Sequence, residues 1–77
     1  MSGKLNFNIL VTFQQKGRRK LPISTIFVRM GVTVIATRVT PGAYTEAEAR
    51  IEFRKQPHLF KPKGEPYTVD IIRRLAA

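Results

Sequence analysis

A short run of basic side chains is the part of this sequence that most clearly indicates a chemistry. Residues 16–20 read Lys-Gly-Arg-Arg-Lys, so four cations lie within five positions. Such cations repel one another, and they gain free energy by neutralising phosphates and releasing the counterions condensed on a nucleic acid. We therefore expect this run to contact a phosphate backbone. A solvated loop that only keeps the protein in solution is the alternative.

The charge of the whole chain supports the same interpretation. The 77 residues include 14 Lys and Arg against 5 Asp and Glu, a formal net charge of +9, and no acidic residue precedes Glu46. The isoelectric point of about 11.0 is in the range typical of nucleic-acid-binding domains. Such a field attracts DNA, RNA, an anionic membrane or an acidic protein surface. We expect a nucleic acid as the partner, with DNA favoured over RNA.

A second candidate surface is the polar side of the first predicted strand. Residues 5–15 alternate apolar side chains with mostly polar ones, which predicts a half-buried strand. Amides such as those of Asn6 and Asn8 can hydrogen-bond base edges, and a β-ribbon fits the major groove. Any solvent-facing sheet carries similar residues, so an ordinary exposed face stays open as an alternative. The complete set of candidate nucleic-acid-binding residues is Asn6, Asn8, Lys16, Arg18, Arg19, Lys20, and, in support, Arg29 and Arg38.

The middle of the chain predicts further strands that position these side chains. Gly17 marks a hairpin loop over residues 16–20. Residues 23–30 and 32–39 are rich in Ile, Val, Thr and Phe and flank Gly31, which indicates either two strands or one long strand with a bulge. Strict alternation directs residues 26, 28, 30, 32, 34 and 36 inward. It places Phe27 and Ile35 on the opposite face, where they could stack on unpaired bases or be covered by another element.

The second half of the chain predicts one helix and a last strand. Thr45 and Glu48 have capping-box spacing, which predicts a helix from Glu46 to Gln56 that Pro57 stops. The apolar residues of this segment are spaced by two, as in a strand, but the capping signals favour the helix. Residues 57–66 read as a proline-rich loop, and residues 67–72 as a final edge strand. The predicted fold is a single small basic α+β domain over residues 1–77, in which a three- to four-stranded antiparallel sheet carries one helix on a face, in the order β-β-(β)-α-β.

The composition argues against catalysis and against bound cofactors. There is no cysteine and a single histidine, His58, and the glycines form no nucleotide-binding fingerprint. We therefore expect a protein that is not an enzyme and has no cofactor or metal site. The apolar runs are too short to cross a bilayer, and the first residues lack the apolar segment of a secretory signal. These features predict a cytoplasmic protein.

Two other kinds of partner stay open. A small adaptor or inhibitor, of the kind made by phages and mobile elements, could dock its basic surface on an acidic surface of a larger protein. Its predicted edge strand over residues 67–72 could extend another sheet or pair with its own copy in a homodimer. Binding to an anionic membrane surface is less favoured, because no basic amphipathic helix is predicted. In predicted architecture alone, the chain resembles the arm-DNA-binding domains of tyrosine recombinases and the double-stranded-RNA-binding domains; no motif assigns it to either family.

Overall fold

Three long strands, one short strand and two helices build the fold. The computed structural model describes residues 5–64 and 66–77. The four strands form one antiparallel sheet in the order β1-β2-β3-β4, and the predicted α+β class with a small antiparallel sheet is confirmed. In chain order the elements are β1 (Leu5–Lys16), β2 (Arg19–Met30), β3 (Thr33–Pro41), α1 (Glu46–Lys55), a 3₁₀ helix (Pro57–Leu59), β4 (Lys61–Pro62) and α2 (Val69–Ala76).

Two tight turns join the three long strands. Gly17-Arg18 connects Lys16 to Arg19, and Gly31-Val32 connects β2 to β3. Gly17 and Gly31 have φ values of 63° and 64°, while no other residue type has a positive φ in the described part of the chain. A positive φ at the first central position only is the requirement of a type II′ hairpin turn. Of the two interpretations left open around Gly31, two separate strands are therefore the correct one.

A bulge in the β2–β3 ladder changes which residues of β3 point inward. Val28 pairs with Ala36, but Arg29 pairs with Val34, so Ile35 is an extra residue on β3. Ile35 and Ala36 are both completely buried as a result. The prediction that Ile35 lies on the outer face is wrong, because a bulge interrupts the alternation on which it relied. The inward placement of Val32 is also wrong, since it lies in the turn and is 89% exposed.

Helix α1 begins where the sequence predicts. The backbone N–H of Glu48 donates to Thr45 Oγ1 at 3.2 Å, and the backbone N–H of Thr45 donates to Glu48 Oε1 at 2.8 Å. The hydrogen bond from the Thr45 backbone, and secondly the contact with its side chain, lowers the pKa of Glu48. Ala49 and Phe53 are buried, whereas Ile51 is 55% exposed. The helical spacing of four therefore decides burial here, and the spacing of two has no structural meaning.

Most of the segment predicted as a final strand, residues 69–72, belongs to helix α2, so this part of the prediction is wrong. The Thr68 side chain caps the helix by accepting from the backbone N–H of Ile71 at 3.4 Å. Ile72 and Ala76, four positions apart, are the buried residues of this helix. The fourth strand lies instead inside the predicted proline-rich loop, where Lys61–Pro62 pairs with two residues of β3. The described part of the chain consequently has two α-helices where the sequence predicts one.

The core lies between one face of the sheet and the two helices. Phe53 of α1 contacts Phe7 of β1 edge-to-face at 5.5 Å between ring centroids, and Phe60 at 5.1 Å, a geometry favoured by the ring quadrupoles. We call this covered side of the sheet the inner face and the other side the open face. Neither helix of the described residues is long and apolar enough to cross a membrane. The buried apolar residues are Phe7, Ile26, Val28, Ile35, Ala36, Ala49, Phe53, Phe60, Ile72 and Ala76.

Candidate nucleic-acid interface

The end of the β1–β2 hairpin projects from the body of the domain. Pairing between β2 and β3 stops at Ile23, which lies opposite Pro41. The β1–β2 ladder continues for four more residue pairs, from Phe13 with Pro22 to Lys16 with Arg19. We call this ribbon, residues 13–22, the arm; at about 3.4 Å per residue it extends about 15 Å beyond the last pair with β3. Every residue from 10 to 21 is exposed, so the arm has solvent on both faces and explains the 48 Å long axis of the molecule.

Four of the predicted site residues meet at the tip of the arm. Lys16 and Arg19 are cross-strand partners whose register places them on the open face, Lys20 lies on the inner face, and Arg18 is in the turn. All four are exposed, and within the described residues none of them forms an ion pair. The Gln15 side-chain amide donates to the Gly17 carbonyl at 2.8 Å and braces the turn. The tip therefore presents four cations in different directions from one narrow support.

Three more predicted residues lie together on the open face. Asn6 pairs with Arg29 across the β1–β2 ladder, and Asn8 is the next residue along the same face. Arg29 Nη1 donates to Asn8 Oδ1 at 3.2 Å. Arg29 Nε is buried and has no hydrogen-bond partner within the described part of the chain. The structure thus joins a guanidinium and two amides into one polar group at the end of the sheet away from the arm tip.

Arg38, the last predicted residue, lies on the other side of the sheet. It pairs with the buried Ile26 across β2–β3 and therefore belongs to the inner face. Its Nη1 is 3.5 Å from Glu52 Oε1, and its guanidinium carbon is 5.8 Å from the ring centroid of Phe60. Its side chain is only 17% exposed. Arg38 thus contacts α1 and the core, and the sheet separates it from Arg29.

The open face also carries apolar side chains, of which the sequence analysis singled out Phe27 but not Leu10 or Val39. Leu10 and Val39 flank Thr25 in one cross-strand row, and they are 54% and 68% exposed. Phe27, in the adjacent row beside Asn8, is half-buried. None of the described residues on this face is fully buried. The alternation in β2 had already placed Phe27 on this face, and Leu10 was a further signal, an apolar residue among the otherwise polar positions of the outer side of β1.

The remaining cations of the helices differ from those of the arm. Arg50 of α1 donates to the Leu5 carbonyl at 3.3 Å, and its guanidinium carbon is 4.8 Å from the Phe7 ring centroid. It therefore fastens the helix to the sheet. Arg73 and Arg74 are exposed in the last turn of α2, where positive charge complements the helix dipole.

A comparison of the chain with models of protein families, with curated proteins and with solved structures finds no match. Its function is therefore inferred from its own geometry and charge. The arm and the open face are the two surfaces on which the predicted site residues come together.

Proposed function

We propose that this protein binds nucleic acid without catalysing a reaction, and that duplex DNA is preferred over RNA. The observation that carries the proposal is the cluster of four exposed cations at the tip of a projecting arm. No acidic residue of the same hairpin neutralises them, since the first one in the chain is Glu46. Phosphates supply the missing negative charge, and the release of condensed counterions makes the contact favourable.

The shape of the arm supports DNA as the partner. A two-stranded ribbon fits the major groove of B-form DNA, which is about 12 Å wide. The major groove of A-form RNA is deep and too narrow for side chains on such a ribbon to read. Long cationic side chains at the tip, directed to both faces of the ribbon, can reach phosphates on the two sides of one groove. The arm therefore suits the duplex form of DNA better than that of RNA.

The polar group on the open face is the candidate for reading bases. An arginine guanidinium forms bidentate hydrogen bonds with guanine, and asparagine does so with adenine. The hydrogen bond to Asn8 holds the Arg29 guanidinium on the open face, which reduces the entropy lost when it binds. In this proposal the tip supplies affinity, while Arg29, Asn6 and Asn8 supply contacts that depend on sequence.

Fluorescence anisotropy of labelled duplex DNA, single-stranded DNA and RNA tests the proposal. If the four tip cations each neutralise one phosphate, the logarithm of affinity falls against the logarithm of salt concentration with a slope of about −3.6. Affinity for duplex DNA then drops about 150-fold between about 50 and about 200 mM salt. Absence of binding to all three probes at the lower salt concentration would overturn the proposal.

A matched pair of double variants locates the contact. Arg18→Ala with Arg19→Ala removes two charges from the tip, and Arg73→Ala with Arg74→Ala removes two from α2. Because all four arginines are exposed, both variants should fold. The tip variant should flatten the salt dependence by about 2 in slope, and the α2 variant should bind more nearly like the original chain. Equal effects of the two variants would contradict a contact through the arm.

Docking on an acidic protein surface is the alternative outcome. Residues 69–72 of the segment that suggested it belong to helix α2 and not to an edge strand, so the positive charge is the part of the original argument that remains. A protein partner that remains bound after nuclease treatment of a lysate, together with no binding to the three probes, would favour this adaptor function.

A further inference from the structure

The free edge of β1 lacks the features that normally protect an edge strand. β1 is the first strand in the sheet order, so among residues 5–64 and 66–77 it has a neighbouring strand on one side only. Residues 5–15 contain no charged residue, no proline and no glycine. Edge strands of natural proteins usually carry lysines, prolines or bulges that prevent pairing with another chain. This edge is open to a further strand.

The part of the edge that is available runs from Ile9 to Gln15. Helix α1 occupies the beginning of β1, where Arg50 donates to the Leu5 carbonyl and Phe53 packs on Phe7. Beyond it, every residue from 10 to 15 is exposed. A two-residue hairpin turn closes on a hydrogen-bonded pair, so alternate residues direct their backbone N–H and C=O groups away from β2. Counted back from the turn, the outward-directed backbone groups are those of residues 9, 11, 13 and 15.

Apolar side chains accompany these free backbone groups. Val11 and Phe13 lie on the inner-face side of β1 but beyond the reach of the core, and they are 36% and 65% exposed. Burial of apolar area contributes about 25 cal/mol per Å². A strand added to this edge would therefore gain side-chain burial as well as backbone hydrogen bonds.

We propose that a second copy of this chain occupies the edge, with β1 pairing antiparallel to β1 over residues 9–15. A two-fold axis near Thr12 makes the contact self-complementary, because Val11 of one copy then lies opposite Phe13 of the other. Antiparallel pairing also sends the two basic tips to opposite ends of the joined sheet. Two chains of formal charge +9 thereby keep their most concentrated charges far apart.

The dimer places the two arms at a spacing that DNA can use, and this step rests on the proposed function. Five to six residues separate Thr12 from the middle of the turn, which at about 3.4 Å per residue is about 19 Å. The two tips then lie roughly 38 Å apart, close to the ~34–36 Å between half-sites one helical turn apart. In this dimer residues 13–15 of each arm pair with β1 of the other copy, so contact with DNA falls to the two clusters of tip cations, which lie beyond the paired residues at opposite ends of the joined sheet and can reach phosphates one helical turn apart.

Sedimentation velocity on the full chain without DNA tests the interface. The original chain should sediment increasingly as a dimer as its concentration is raised. Val11→Lys introduces a charge at the edge and should leave a monomer, whereas Val39→Lys makes the same change on β3, away from the edge, and should still dimerise. A chain that stays monomeric at every concentration would overturn the proposal, as would equal behaviour of the two variants.

A cysteine variant tests the antiparallel register. The chain has no cysteine, so Thr12→Cys introduces the only thiol. In the proposed pairing the two copies of this residue form a non-hydrogen-bonded pair, with Cα atoms about 4.5 Å apart, inside the range that a disulfide spans. Mild oxidation should cross-link Thr12→Cys and not the control Thr37→Cys on β3. Cross-linking at equal rates would show that the contact is not at this edge.

The two proposals can fail separately. A dimer that binds none of the nucleic-acid probes would keep the interface and overturn the proposed function. A monomer that binds duplex DNA would support the proposed function and overturn the proposed interface. If both hold, the original chain should bind a duplex of two helical turns more tightly than one of a single turn, and Val11→Lys should lose that difference.

Discussion

Arg29 and Arg38 lie on neighbouring strands but on opposite faces of the sheet, and they therefore have different contacts. Arg29 lies on the open face and donates to Asn8, while Arg38 lies on the inner face beside Glu52 and Phe60. The sequence predicted both as supports for nucleic-acid binding. Strict alternation already places Arg38 on the inward side with Ala36, but its contacts with Glu52 of α1 and with Phe60 are tertiary features that the sequence does not show.

The variants Arg29→Gln and Arg38→Gln should therefore have different effects. Arg29→Gln should weaken binding to the preferred DNA sequence by about 1–3 kcal/mol and relax the sequence preference, with the salt slope nearly unchanged, because Arg29 is proposed to contact bases rather than phosphates; it should have little effect on stability. Arg38→Gln should leave DNA binding unchanged and lower the free energy of unfolding by about 1–3 kcal/mol, since it leaves the mostly buried Glu52 carboxylate without its cationic partner and removes the contact with Phe60. Fluorescence anisotropy compares the DNA affinities of the two variants, and urea denaturation compares their free energies of unfolding. If Arg38→Gln lost affinity for DNA and Arg29→Gln did not, the inner face would be the DNA-binding face and the proposal for the open face would be wrong.

At the scale of elements, the correct predictions rested on local signals and the wrong ones on missing tertiary information. The alternation in β1, the turn at Gly17 and the capping box at Thr45 each act within a few residues, and all three are confirmed. The segment 67–72 alternates like a strand, but residues 69–72 are helical, and the helix buries Ile72 and Ala76 against the core. Strand β4 has two residues and exists only because β3 lies beside it.

In the candidate site, too, the features set by local sequence were predictable and those set by tertiary structure were not. The tip cations were predictable because a glycine and four cations in one short segment define a hairpin end without reference to the rest of the chain. The length of the arm was not predictable, since it depends on where β3 stops pairing with β2. The Arg29–Asn8 hydrogen bond depends on the register between two strands.

The two glycine turns provide a test of the arm as a separate element. Gly17 and Gly31 have nearly equal positive φ values, and an added Cβ meets nothing within 4 Å at either position. An alanine at each costs about 1–2 kcal/mol of backbone strain. Gly31→Ala should lower the free energy of unfolding by that amount, because β2 and β3 enclose the core. Gly17→Ala should leave global unfolding nearly unchanged, because the arm can open locally.

Urea denaturation and hydrogen exchange of the arm amides distinguish these two effects. Exchange in the arm should accelerate in Gly17→Ala, and affinity for duplex DNA should fall with it. Equal loss of global stability in the two variants would mean that the arm unfolds together with the body.

For the whole molecule, the high positive charge disfavours folding and favours binding to DNA, so added salt should have opposite effects on the two. A formal charge of +9 on a chain with a thin core produces self-repulsion. Raising salt from about 50 to about 200 mM should therefore raise the Tm, since the screening length falls below about 10 Å. The same change should weaken DNA binding. Thermal melts followed by circular dichroism test this, and a Tm that falls with salt would show that favourable ion pairs outweigh the repulsion.

The order of the strands bears on how the chain folds. The three long strands pair in sequence order through two-residue turns. Such hairpins form in about 1–10 μs, and contacts between neighbours in sequence favour rapid folding. The sheet can therefore form before the helices are in place, and docking of Phe53 and Ile72 completes the core as a later step. Because the arm precedes both helices in the chain, its cations also leave the ribosome before the residues that stabilise the body.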